Sequence, residues 1–240
     1  MCCCDDKHKD NPAYHKARCA AGCSLSIDII VVVVTIWVGL VIGVATALAA
    51  TRVTYYELWN KGGKYCEAAG DKKDDCTAYF EGLKGIQSFG GTLLTLNYIV
   101  YLFGITGIVF SSIISCVCQC CCSGPQQLHK TGGIYQVVSS VFSLIMAVLY
   151  WIFFGMVSGT AAAGQAFIGD ACKGFSGLIG DCAMVPALQS MVTPIIIVGV
   201  WSIVVTGCRG WAAFELMRSS KIEYVGGEGV PTAEKVVPQG

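Results

Sequence analysis

Four long apolar runs, none containing a charged residue, divide the 240-residue chain: 29–50, 93–117, 137–161 and 191–208. Each is close to the roughly 20 residues that a helix needs to cross the hydrocarbon core of a bilayer. Only a helix satisfies every backbone group within such a segment. The pattern predicts an all-α integral membrane protein, a bundle of four transmembrane helices. Between the runs lie polar stretches: a tail over 1–28, connections over 51–92, 118–136 and 162–190, and a second tail over 209–240. Four crossings put both tails and the 118–136 connection on one side. The 51–92 and 162–190 connections fall on the other.

Small residues recur inside the runs at the spacing that lets helix backbones approach closely. Gly39 and Gly43 do so in the first run and Gly155 and Gly159 in the third, with Gly104 and Gly107 in the second. These glycines are expected to pack helix on helix within the bundle. Pro194 falls in the first turn of the fourth run, where a missing N–H costs nothing. Proton relays and voltage sensors place ionisable groups inside the membrane. No run carries one, which disfavours a pump or coupled transporter.

Composition agrees with this reading and narrows it. Hydrophobic residues make up 54% of the chain and charged residues 13%, against about 25% charged in soluble domains. The formal net charge is zero, and the basic residues are scattered, so there is no electrostatic footprint for nucleic acid. The first 26 residues are polar and the run that follows lacks a small-residue cleavage pattern, so that run is expected to stay in the mature protein. The three histidines, His8, His15 and His129, stand outside any hydrolase, metalloprotease, phosphate-loop or dinucleotide motif. The chain is expected to be no enzyme and to need no cofactor or metal.

Fifteen cysteines sharpen the topology. Cys66 and Cys76 in the first connection, and Cys172 and Cys182 in the third, form two C-x9-C pairs, the even count expected of disulfides in an oxidising space. The identical spacing favours pairing within each connection; a bond from Cys66 or Cys76 to the third connection is the alternative. The other eleven cysteines map to the opposite side. Five of them, Cys116, Cys118, Cys120, Cys121 and Cys122, lie within seven residues, and Cys2, Cys3 and Cys4 open the chain. Free thiols this dense belong in a reducing compartment. The prediction is therefore a multi-pass protein of the plasma membrane, with its termini cytoplasmic and the 51–92 and 162–190 loops extracellular. Nine basic residues on the terminal side against seven on the other lean the same way. Juxtamembrane cysteines are S-acylation sites, and all eight of these are lipidation candidates, with Cys19 and Cys23 adding to the N-terminal group. A soft-metal site built with His129 fits standard zinc spacing poorly.

The first external connection opens Arg52-Val53-Thr54-Tyr55-Tyr56-Glu57-Leu58-Trp59, then turns at Lys61-Gly62-Gly63-Lys64. Its aromatic and β-branched residues predict a short β-hairpin or sheet tied by the cysteine pair. Four spans, a larger first external loop, and Leu58-Trp59 followed by Cys66 and Cys76 resemble the claudin and peripheral-myelin-protein superfamily. The resemblance covers the topology and these four residues. It implies a small β-sheet beside the bundle, a disulfide between Cys66 and Cys76, and a role in cell contact, paracellular barriers, or as a membrane organiser or auxiliary subunit. Glu57 departs from the Gly or Asn usual in that family.

Taken together, the chain is expected to be a non-enzymatic tetraspan that organises membrane domains, cell contacts or membrane protein complexes. Its partners are the lipid bilayer and further copies of itself or other membrane proteins. The competing expectations are a pore-forming oligomer of the large-pore innexin or pannexin type, and an accessory subunit of a larger membrane complex. After the fourth run, Arg209, Trp211, Phe214, Glu215 and Arg218 read as an interfacial anchor of a helix leaving the membrane.

Overall fold

The computed structural model describes residues 12–59, 64–116, 126–169 and 180–220. Four long helices account for most of them: α1 (Pro12–Trp59), α3 (Lys73–Cys116), α4 (Gln126–Ile168) and α5 (Asp181–Ser219). One short helix, α2 (Lys64–Glu67), and a single 3-10 turn (Gly70–Lys72) join α1 to α3. All four long helices are long and apolar enough to cross a membrane, consistent with a multi-pass membrane protein. Each packs on its neighbour in sequence, and α5 closes the ring against α1.

The packing surface has a regular period. Through the middle of α1 the buried positions run Ser24, Asp28, Val31, Thr35, Val38, Ile42, Ala45 and Ala49; on α3 one continuous stripe of the buried positions runs Tyr79, Leu83, Ile86, Gly90, Leu93, Asn97, Val100, Gly104, Gly107, Ser111 and Ile114. α4 buries Gln136, Ser139, Ser143, Met146, Tyr150, Phe153 and Val157. Steps of three and four alternate throughout, the 3.5-residue average of knobs-into-holes packing, which suits a bundle of nearly antiparallel helices. The opposite faces are apolar too, with Ile36, Leu40, Val44, Val148, Ile152 and Ile203 exposed. Such a surface suits lipid, not water.

The first-loop β-hairpin is corrected by the structure. Among the described residues there is no strand: residues 52–59 continue α1, and 73–92 form the first turns of α3. Hydropathy marks where the apolar stretch ends, whereas a helix continues into the polar phase as long as its residues tolerate it. Arg52 and Glu57 ended the apolar run without breaking the helix. Leu58, 63% exposed, and Trp59 therefore stand at the C-terminal end of α1 and not on a sheet. Pro194 is likewise displaced from its expected place. It lies deep inside α5 with Pro186 nearer the start, a position that transmembrane helices tolerate because neighbouring groups re-satisfy the freed carbonyls.

The small-residue faces also differ from expectation. Gly39 does pack inside the bundle, its missing side chain making room for Asn97, whose Nδ2 is 3.0 Å from where a Cβ would sit. Gly43, Gly155 and Gly159 have nothing within 4 Å of that point. Spacing names a face without saying which way it turns, and the alternating stripe of α4 passes through Phe153 and Val157, leaving Gly155 and Gly159 outside. Gly104 and Gly107 make close intramolecular contacts, with Val32 and with Asp28 and Tyr135.

Candidate functional site

Polar residues occupy the same inward stripes at one end of the bundle. Asp28 on α1 is 0% exposed and Arg209 on α5 is 3% exposed, and Arg209 Nη2 donates to Asp28 Oδ1 at 2.8 Å. The other guanidinium arm reaches α4, donating to the Ser139 carbonyl at 3.3 Å and to Ser143 Oγ at 3.2 Å. From α3, Ser111 Oγ donates to Asp28 Oδ2 at 2.8 Å. Ser24 and Ser111 share a further hydrogen bond of 3.0 Å, and Gln136 Nε2 donates to Ser24 Oγ. All four long helices thus contribute to one buried charged cluster. A buried ion pair holds only when the remaining donors and acceptors are met, and four of the partners here are hydroxyls or amides on the packing stripe. Gln136 Oε1 and Arg209 Nε, both buried, make no protein hydrogen bond.

Gly107 makes the cluster sterically possible. A Cβ there would lie 2.6 Å from Tyr135 Oη and 2.9 Å from Asp28 Oδ2. Tyr135 uses the same gap to donate to the Phe103 carbonyl at 2.6 Å.

Toward the middle of the bundle stands a second polar contact. Asn97 Nδ2 donates to the Thr35 carbonyl at 2.9 Å, and Tyr150 Oη donates to Asn97 Oδ1 at 2.8 Å, tying α1, α3 and α4 together. A cavity of about 30 Å³, bordered by Thr35, Ser143, Tyr150 and Ser202, lies between the two polar layers. Beyond it the stripe is closed by Ile42, Leu93 and Phe153.

The opposite end carries a second pair between α1 and α5. Arg52 Nε donates to Asp181 Oδ1 at 2.8 Å, with side chains 19% and 15% exposed. Arg52 also lies over the Tyr55 ring at 5.1 Å. Gly180, at φ 69°, starts α5 beside it, in the left-handed region that glycine enters without strain. Past this pair, Cys66 and Cys76 form a disulfide that ties α2 to the first turn of α3. Both cysteines are buried, and Tyr56 stacks on Phe80 at 3.8 Å beside them. Tyr79 packs edge-on to Phe80 and reaches Phe167 of α4. Cys182, one residue after Asp181, is disulfide-bonded as well. The Cys66–Cys76 bond excludes a link from either residue to the third connection.

At 1.5 Å per residue, the two α1–α5 ion pairs stand about 36 Å apart along α1 and about 42 Å apart along α5. A bilayer with its headgroup regions spans about 40–45 Å. The spacing of the pairs matches that thickness. The cysteines outside any disulfide among the described residues, Cys19, Cys23, Cys116 and Cys208, are all exposed. Cys208 adjoins Arg209, Cys19 and Cys23 precede Asp28, and Cys116 lies just past Ser111, so all four belong to the Asp28–Arg209 end.

Sequence reasoning placed Arg209 in an exposed interfacial anchor, and the structure corrects this: Arg209 is buried, as is Glu215, while Trp211, Phe214 and Arg218 remain exposed. Asp28 escaped attention because it stands one residue before the first apolar run, as Arg209 stands one after the last. The signal was present in Gln136, Ser139 and Ser143, which continue the three-four spacing of Met146 and Tyr150. Cys2, Cys3, Cys4, Cys118, Cys120, Cys121, Cys122 and Cys172 lie outside the described residues. Compared with protein-family models, with curated proteins and with solved structures, the chain has no match in any of the three.

Proposed function

We propose that the chain is a non-enzymatic tetraspan of the plasma membrane, with cytoplasmic termini and S-acylated cytoplasmic cysteines, that organises membrane domains, cell contacts or membrane protein complexes. The observation that carries the reading is the division of the cysteines along the bundle. Among the described residues, the cysteines outside any disulfide gather at the Asp28–Arg209 end, and the bonded Cys66, Cys76 and Cys182 gather at the Arg52–Asp181 end. Thiols persist in a reducing compartment and disulfides in an oxidising one, so the two ends suit opposite sides of a surface membrane. A filled core supports a scaffold over a pore within one chain, since Leu83, Ile86, Phe153 and Leu188 close the axis. The outward α4 face with Gly155 and Gly159 leaves room for lateral association.

The test is compartment-specific thiol labelling of the full chain in intact cells. A membrane-impermeant maleimide should reach Cys182 from outside after reduction, and should reach Cys116 and Cys208 only after permeabilisation and hydroxylamine release of the acyl groups. Acyl exchange with hydroxylamine should then reveal thioesters on the cytoplasmic cysteines. Labelling of Cys116 from outside, or no hydroxylamine-dependent signal at any cysteine, would overturn the reading.

A further inference from the structure

We propose that Cys208 carries a fatty acyl thioester whose chain lies in the groove between α1 and α5; the proposal rests on the acylation reading above and assigns it a residue and a seat. The groove has a volume of about 590 Å³ and is walled by Ile30, Val34 and Trp37 of α1 and by Ile197, Val200 and Val204 of α5. Its size is in the range of small-molecule sites, roughly 300–1,000 Å³, and these six walls offer only hydrocarbon and indole. A flexible apolar chain suits it.

The occupant is identified by what stands at the open end. Cys208, Val204, Val200 and Ile197 follow one another at four, four and three residues, one face of α5. The exposed Cys208 thiol is therefore in line with the groove. Cys23 is in line on the other wall, seven residues before Ile30. Side-chain direction separates the two. Helical side chains lean toward the helix N-terminus. On α5 that direction leads from Cys208 toward Val204 and the groove, whereas on α1 it leads from Cys23 away from Ile30. From Cys208 to Ile196, which lines the far end, is about 18 Å along the helix. That is near the extended reach of a saturated chain of about sixteen carbons, the length typical of S-acylation at juxtamembrane cysteines.

The chemistry is acyl transfer. The Cys208 sulfur bonds to the acyl carbon of a fatty acyl thioester donor, the donor's own C–S bond breaks, and the Cys208 proton leaves with the donor's thiol. No redox change is involved.

The experiment feeds cells expressing the full chain a sixteen-carbon fatty acid bearing a terminal alkyne and a mid-chain diazirine. Site-resolved mass spectrometry is expected to find a hydroxylamine-labile adduct on Cys208, absent from Cys208→Ser, with thioesters in the 116–122 cluster retained in that variant. Photolysis is expected to give adducts on Val34 and Trp201, which line the groove about halfway along it, at least fivefold reduced in Val200→Trp, which fills the groove but leaves the thiol in place. Adducts only on other cysteines, Cys23 included, overturn this assignment while leaving the acylation reading intact; no labile adduct on any cysteine overturns both. A Cys208 thioester whose photo-adducts fall on lipid alone, or are unchanged in Val200→Trp, removes the groove as its seat. Cys208→Ser is a near-isosteric change at an exposed position, and an unchanged melting temperature shows that its missing adduct is not a folding defect.

Discussion

Asp28 and Arg209 lie 181 residues apart in sequence and 2.8 Å apart in space. Their contact joins the first long helix to the last and draws hydroxyls and carbonyls from the two helices between. Removing one partner of a buried pair leaves an uncompensated charge, at a cost of about 3–5 kcal/mol, whereas replacing both with apolar residues of similar volume is often nearly neutral. Arg209→Leu and Asp28→Leu should each lower the melting temperature of the purified protein in detergent steeply, and the double variant should recover most of the loss. A thermal-shift double-mutant cycle measures the coupling.

The two ends should not weigh equally. Arg52 and Asp181 keep 19% and 15% of their side-chain surface, so solvent screens their pairing, and surface pairs contribute about 0–1 kcal/mol. Arg52→Leu is expected to destabilise by about 1 kcal/mol, well below the effect of Arg209→Leu. The same thermal-shift assay ranks them.

Much of this architecture was readable before any coordinates. Four charge-free runs announce four helices because the hydrocarbon core admits little else. Where the helices end was not readable: Arg52 interrupts the hydropathy while α1 carries on through it, and α3 already begins at Lys73, inside the charged stretch from Asp71 to Asp75. The cluster was hidden for a related reason. In a chain that is apolar on both its inner and outer faces, hydrophobic periodicity carries no facing information, and only the spacing of the polar residues Ser24, Asp28, Gln136, Ser139 and Ser143 does. Gly155 and Gly159 mislead in the same way, since their spacing fits either face.

The two kinds of glycine can be told apart by substitution. Gly107→Ala brings a methyl group within 2.6 Å of Tyr135 Oη and 2.9 Å of Asp28 Oδ2, and overpacking of this sort costs about 1–3 kcal/mol. Gly155→Ala meets nothing within 4 Å, and should leave the monomer's stability unchanged or raise it by up to about 1 kcal/mol through helix propensity. Urea or thermal unfolding in micelles distinguishes the two.

Tyr150→Phe removes the donor to Asn97 Oδ1 and leaves that oxygen buried. Hydrogen bonds between membrane helices average about 0.6 kcal/mol and reach about 1.7. The expected loss is in that range, and Asn97→Ala should abolish the difference between Tyr and Phe at position 150.

Opening the Cys66–Cys76 bond should cost about 2–3 kcal/mol, the chain-entropy value for a short loop. Cys66→Ser with Cys76→Ser should lower the melting temperature under oxidising conditions and match the wild type under strong reductant.

The charges on α1 and α5 are arranged as mirror opposites: acid then base along α1, and acid then base along α5, on helices that run antiparallel. If α5 entered the bilayer upside down, Asp181 would face Asp28 and Arg209 would face Arg52, two like-charge encounters in place of two attractive ones. Antiparallel packing of the first and last helices is therefore the arrangement in which both pairs attract.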